Sequence, residues 1–96
     1  MPPITVVAKV VAKKDALEAV KAELHKLVAP TRLETGCIAY TLHQDNDDPA
    51  VFLFYETWED PACLEKHMKS DHFKGYVRAI EGLIEEKQVQ IMTRIA

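Results

Sequence analysis

Residues 52–73 read FLFYETWEDPACLEKHMKSDHF, and the fold turns on how this stretch divides. Up to Trp58 the residues alternate. Phe52, Phe54, Glu56 and Trp58 fall on one side and Leu53, Tyr55 and Thr57 on the other, which is the period of a strand. Asp60-Pro61 ends that pattern. Aspartate suits the position before a helix and proline the first helical position, so a short helix follows. Ser70-Asp71 offers a second cap, and the helix is expected to break there. The stretch also carries the only tryptophan and two of the four histidines. An aromatic strand running into a histidine-bearing helix is suited to lining a pocket, and the rest of the chain reads as its scaffold.

Upstream, Cys37 to His43 (CIAYTLH) alternates Ile38, Tyr40 and Leu42 against Ala39, Thr41 and His43, a second strand of the same kind. Between the two strands, Gln44 to Ala50 (QDNDDPA) has the chemistry of a loop. Earlier still, Asp15 and Glu18 are spaced as a capping box, and Leu17, Val20, Leu24, Leu27 and Val28 recur at intervals of three and four, an amphipathic helix. Pro30 removes a backbone donor and is expected to kink or nearly end that helix. Thr31 to Glu34 then add a last turn before Gly36, which suits the left-handed position beyond a helix end. Ile4 to Ala12 is apolar on both faces, with Ile4, Val6, Ala8 and Val10 on one and Val7 and Val11 on the other. It reads as a central strand covered on both sides. Downstream, Phe73, Val77, Ile80 and Ile84 predict a further helix, and Lys87 to Ile95 a closing strand with Val89, Ile91 and Ile95 on one side.

The order β-α-β-β-α-β within residues 1–96 describes a single α+β domain. It predicts a ferredoxin-like four-stranded antiparallel sheet with helices on one face. A first strand apolar on both faces implies that the helix-free face is also covered. A second copy of the chain is the simplest cover, so a homodimer joined through its sheet faces is expected.

With 48% apolar and 28% charged residues the composition is that of a globular protein. A net charge of −3 and a pI near 5.8 argue against a nucleic-acid partner, which needs a basic face. No apolar run approaches the ~18 residues of a membrane span. The stretch MPPITVVAKVV lacks the basic region and cleavage site of a signal peptide, so a cytoplasmic location is expected. Cys37 and Cys63 show neither CxxC nor metal-like spacing and read as small buried hydrophobes.

Phe54 and Trp58 read equally as core and as a flat apolar wall for an aromatic ligand. Glu56 alternates with them and should not be buried alone. It calls for a cation such as Arg32 or Arg78, or for a ligand or water-filled cavity beside it. His67 falls near the inner face of its helix. His67 and His72 are five apart, which is not the HxxxH spacing that places two imidazoles on one helical face, so no metal site is expected. A break near Ser70 would let both rings reach one cavity, where a histidine titrating near neutrality could remove a proton from a phenol or a carbon acid. Tyr40 and Tyr76 could donate to a ligand oxygen. No GxGxxG, P-loop, HExxH or GxSxG pattern is present.

The 52–73 stretch, together with PTRLETGCIAY at residues 30–40, resembles the antibiotic biosynthesis monooxygenase (ABM) family. Its pattern is an aromatic strand ending E-x-W, a helix with H, and a following HF. The resemblance covers nearly the whole chain and implies a dimeric α+β barrel of two facing sheets. It implies a monooxygenase that oxidises a quinol or polycyclic phenol with dioxygen as co-substrate and no metal or flavin. Trp58, Phe54, Phe73 and Tyr76 would bind the ring, Arg32 or Glu56 would steer polarity, and His67 or His72 would be the catalytic base. Other relatives degrade haem with a tryptophan and a histidine in the second helical region. The matching positions here are His67 and Val77, so the iron ligand is missing. Still others isomerise small phosphorylated ketones. A histidine-dependent isomerase and a non-catalytic protein binding aromatic or quinone-like compounds are the alternatives.

Overall fold

Strand β1 (Ile4–Ala12) lies at the centre of a four-stranded antiparallel sheet, as its two apolar faces require. The computed structural model describes residues 2–96. β1 pairs with β3 (Val51–Trp58) on one edge and β4 (Ile84–Met92) on the other, and β2 (Cys37–Gln44) lies outside β3. The order β2-β3-β1-β4, with helices between β1 and β2 and between β3 and β4, is the ferredoxin-like arrangement. Helix α1 (Leu17–Arg32) follows β1, while α2 (Pro61–Met68) and α3 (Asp71–Ile80) follow β3.

One face of the sheet is buried beneath these helices. Ile4, Val6 and Val10 of β1 and Phe52, Phe54 and Trp58 of β3 share a core with Val20, Leu24 and Leu27 of α1, Leu64 of α2, and Tyr76 and Ile80 of α3. The register sets Val6 between Glu56 and Ile91, and Val10 between Phe52 and Lys87. At its start β4 carries a bulge: Val11 opposes Glu86 while Ala12 opposes Ile84. Among the described residues no helix is long and apolar enough to cross a membrane.

Several local expectations need correction. Asp15 and Glu18 form no capping box. The chain leaving β1 turns at Lys13, whose N–H donates to the Leu83 carbonyl and whose own carbonyl accepts from Ala16. Lys14–Ala16 therefore close a 3-10 turn, and α1 starts at Leu17 without a side-chain cap. Pro30, by contrast, nearly ends α1 as expected: the helix stops two residues later, at Arg32. Ile38 does not share a side with Tyr40. The β2–β3 ladder shifts register between Cys37 and Ala39, and Ile38 turns out to the helix-free face beside Tyr55 and Thr57. On α3 the buried positions are Tyr76 and Ile80, with Val77 exposed, and Ile84 already belongs to β4. That strand ends at Met92, short of Ile95.

The breaks expected at Asp60-Pro61 and Ser70 are present. The Asp60 carboxylate accepts from Cys63 N at 3.0 Å, and the Ser70 hydroxyl accepts from Phe73 N at 3.3 Å. Gly36 is held at φ +85°, in the left-handed region, with its face against α2. A Cβ there would stand 2.2 Å from Cys63 Sγ and 2.8 Å from Cys63 Cβ. Gly36→Ala is therefore expected to cost about 1–3 kcal/mol, measured by denaturant unfolding. Adding Cys63→Ala should recover part of the loss and no more, because the backbone strain and the Cβ contact remain.

Candidate active site

The site begins where α1 ends. Beyond Arg32 the chain keeps one more turn, with Glu34 N–H donating to the Thr31 carbonyl at 3.0 Å. Gly36 then folds the segment against the start of α2, and its carbonyl accepts from Glu59 N at 2.9 Å. This fold-back carries the Glu34 side chain to the junction of α2 and α3. His67 stands in the last turn of α2 and His72 in the first turn of α3. On an unbroken helix, side chains five apart diverge by about 140°. The break at Ser70 removes that divergence. Its hydroxyl donates to the His67 carbonyl at 2.6 Å, and both imidazoles now meet one carboxylate oxygen. Glu34 Oε2 lies 2.6 Å from His67 Nδ1 and 2.7 Å from His72 Nε2.

These three residues are also the group that could hold a divalent cation, since their ligand atoms all lie within 4.8 Å of one another. The two short distances to a single oxygen describe carboxylate–imidazole hydrogen bonds. A cation would have to displace both imidazole protons from that oxygen.

His67 is buried among rings. Its centroid lies 4.9 Å from those of Trp58 and Phe73 and 5.7 Å from that of Tyr40. Burial pushes its pKa below the usual histidine range, and this outweighs the opposite pull of Glu34. The ring is thus neutral near pH 7. Nδ1–H donates to Glu34, and Nε2 keeps its lone pair.

Beside His67 lies a cavity between the sheet and helices α2 and α3. Its walls are almost wholly apolar, formed by Val6, Val10, Phe54, Leu64 and Phe73 among others. It encloses about 440 Å³ counting the open mouth, but the centre of a water molecule has only about 50 Å³ in which to move. This enclosed space is smaller than the ~150 Å³ of an apolar cavity that takes benzene, so an aromatic ring lies partly in the open mouth.

Glu56 Oε2, His67 Nε2 and the hydroxyls of Tyr40 and Tyr76, all on residues of the wall, bond to no described residue and are not sealed from open space. Glu56 uses its other oxygen to accept from Trp58 Nε1 at 2.9 Å. Burial, with the Glu34 charge adding to it, raises the Glu56 pKa from the ordinary 4.5 to about 7. Burial and then Glu56 also push the phenols of Tyr40 and Tyr76 up, the latter to about 12. The Thr31 hydroxyl is buried without a hydrogen bond close to Tyr40.

Comparison with known proteins places this arrangement. The profile of the antibiotic biosynthesis monooxygenase family matches residues 3–79. The chain belongs to that family. The crystal structure of PA3566 from Pseudomonas aeruginosa superimposes with a TM-score of 0.96 at 38% identity, covering 100% of this chain and 97% of that one. The probable quinol monooxygenase YgiN of Escherichia coli is 29% identical over 83 residues, which is 78% of this chain and 80% of YgiN. The uncharacterized protein sll1783 of Synechocystis is 32% identical over 82 residues, or 85% of this chain, and the chain spans only 56% of that relative's length.

Of the residues singled out in this ABM-family sequence, Tyr40, Phe54, Glu56, His67, Phe73 and Tyr76 line the cavity. Trp58 does not. It is fully buried behind His67, and its indole N–H is taken by Glu56, so it orients two cavity residues instead of forming a ligand wall. Arg32 is also off the cavity: it is exposed, and its Nε donates to the Tyr40 carbonyl at 3.0 Å. Neither Arg32 nor the exposed Arg78 pairs with Glu56. His72 reaches Glu34 from outside the cavity wall.

Two residues escaped the sequence reading. Glu34 looks like a solvated acid at a helix end, and only its place in PTRLETG marks it. Lys87 sits in the polar run EEKQ and reads as solvated, and only its alternation with Val89 and Ile91 places it on their side of the strand.

The displaced Glu56 pKa has a consequence for stability. A carboxyl with a raised folded pKa contributes stability that is complete below its ordinary 4.5 and lost as pH rises through about 7. That displacement corresponds to about 3 kcal/mol. Glu56→Gln, neutral throughout, should show a flatter stability profile from pH 5 to 8 in denaturant titrations. Parallel profiles for the two proteins would show that Glu56 ionises normally.

Proposed function

We propose that the protein is a monooxygenase that oxidises a quinol or phenol with dioxygen, using His67 as the base and Glu34 to orient it. The observation that carries this reading is His67 itself. It is a neutral imidazole fixed through Nδ1 by a carboxylate, with Nε2 free on the wall of an apolar, open-mouthed slot. The chemistry asks for little more. Deprotonating an electron-rich phenol at His67 Nε2 gives a phenolate able to pass an electron to dioxygen. Radical recombination gives a hydroperoxide, and its collapse leaves one oxygen atom on the ring and releases the other as water. A quinol plus dioxygen thereby becomes a hydroxyquinone plus water, with all four electrons drawn from the ring. Glu56, poised near neutrality, is suited to return a proton to the departing oxygen. Exclusion of water by the apolar walls protects the intermediates.

His67→Gln is expected to lower turnover of 1,4-dihydroxynaphthalene by about 10² or more while leaving ring binding within a few-fold. Glu34→Gln should fall between this variant and the wild type. With oxygen-18 gas, one labelled atom should appear in the product and the other in water. Unchanged turnover in His67→Gln would remove the base, and absence of label from the organic product would leave a binding protein in place of a monooxygenase.

We also propose that the working form is a homodimer joined through the helix-free sheet faces. Ile38, Tyr55 and Met92 are 54%, 46% and 43% exposed on a two-layered body whose thinnest extent is 18 Å, which leaves the sheet's second face without a cover. Tyr55→Glu should convert a dimer to a monomer by light scattering. A monomeric wild type would end this proposal.

A further inference from the structure

The cavity is also lined by a lysine that is exposed and so stands at its open side. Lys87 of β4 faces the helices because its register partner Val10 does, and it borders the cavity. Its ammonium stands 5.7 Å from the Phe73 ring centroid and 5.5 Å from that of Tyr76. It makes no ion pair among the described residues. Lys9, the other lysine bordering the cavity, is engaged by Glu86 at 3.3 Å.

A lysine on an edge strand ordinarily runs its stem along the surface and leaves its ammonium in water. Here the ammonium is drawn over two ring faces, whose quadrupoles compensate only part of the lost hydration. Burial accordingly lowers its pKa, with no charged neighbour contributing. An incompletely solvated cation at the mouth of an apolar slot is a receptor for an anionic oxygen.

We propose that Lys87 binds a carboxylate of the ligand, and that the substrate class is a hydroxylated aromatic acid: a ring in the slot, its hydroxyl toward His67 and its carboxylate at the mouth. This rests on the cavity being the substrate site of the proposed oxygenation. The charges fix the direction of entry. A carboxylate pushed inward would meet Glu56 and, behind His67, Glu34, both acids without a cation to offset them. At the mouth it meets the one ammonium of the wall that is free to take it. Exposed Met68 and Val89 border the same opening and give an apolar seat to any ring that extends beyond the slot.

The test compares 4-hydroxy-1-naphthoate, whose hydroxyl and carboxylate point to opposite sides of one ring, with 1-naphthol at pH 7 by calorimetric titration, so that the readout is equilibrium binding and not turnover. The wild type is expected to bind the acid about ten-fold tighter than the naphthol or better. Lys87→Met, which keeps the stem's volume, should erase that preference while leaving 1-naphthol within two-fold, and Lys87→Arg should retain it. Equal weakening of both ligands would reduce Lys87 to a packing residue. No preference for the acid in the wild type, or no binding of it, would overturn the proposal outright. Thermal unfolding of Lys87→Met guards against a folding defect, since loss of a partly dehydrated cation should not lower stability. Failure of the oxygenase reading appears elsewhere, as an inert wild type or an unaffected His67→Gln in the turnover assay, with the binding preference intact.

Discussion

A single carboxylate oxygen, Glu34 Oε2, accepts hydrogen bonds from two imidazoles that belong to different helices. It closes contacts between residues 33 and 38 positions apart, fastening the turn after α1 to the junction of α2 and α3. Much of the surrounding geometry serves this contact. Gly36 brings the turn close enough to Cys63, Ser70 ends α2 so that α3 can reorient, and four rings pack around His67 and leave one of its nitrogens toward the cavity. Removing the carboxylate would leave two part-buried imidazole donors without their acceptor, a penalty larger than the net value of the bonds themselves.

The cavity is electrically lopsided. Its inner end holds a carboxyl and an imidazole whose charged forms are both disfavoured by burial, and its mouth holds an ammonium that is also short of water. In a slot this apolar, such groups act at close range with little screening. The inner pair therefore sits near neutral and can exchange protons, while the outer group can recognise charge. Trp58 joins the two inner residues, donating to Glu56 and packing against His67, and so couples their positions without reaching the ligand space.

What was legible in the sequence followed from local periodicity and capping. The alternation from Phe52 to Trp58, the Asp60-Pro61 start, the second cap at Ser70 and the two apolar faces of β1 all depend on neighbours within a few residues. Phe54, Glu56, His67, Phe73 and Tyr76 could be grouped because the strand and the two helices carrying them adjoin in the chain. Glu34 could not, since its meaning arises only when the chain closes over more than thirty residues. Trp58 was left equally as core or as wall because alternation specifies a face but not how deep along it the core stops. Ile38 and Ile84 depend on ladder irregularities, which leave no mark in hydropathy, whereas Lys87 alternates regularly with Val89 and was missed because its charge reads as solvated.

One of those irregularities governs how β4 tolerates changes in length. Ile84 and Lys87 stand three residues apart yet both face the helices, because Glu85 has no counterpart on β1. Deleting Glu85 would restore strict alternation and leave both side chains where they are. Deleting Gln88 would instead rotate everything after it, turning Val89 and Ile91 outward and bringing Gln90 to the rim. Within this scaffold, then, the chemistry of the entrance can be rewritten by a shift in residue count along the final strand, with no substitution at any position that meets the ligand.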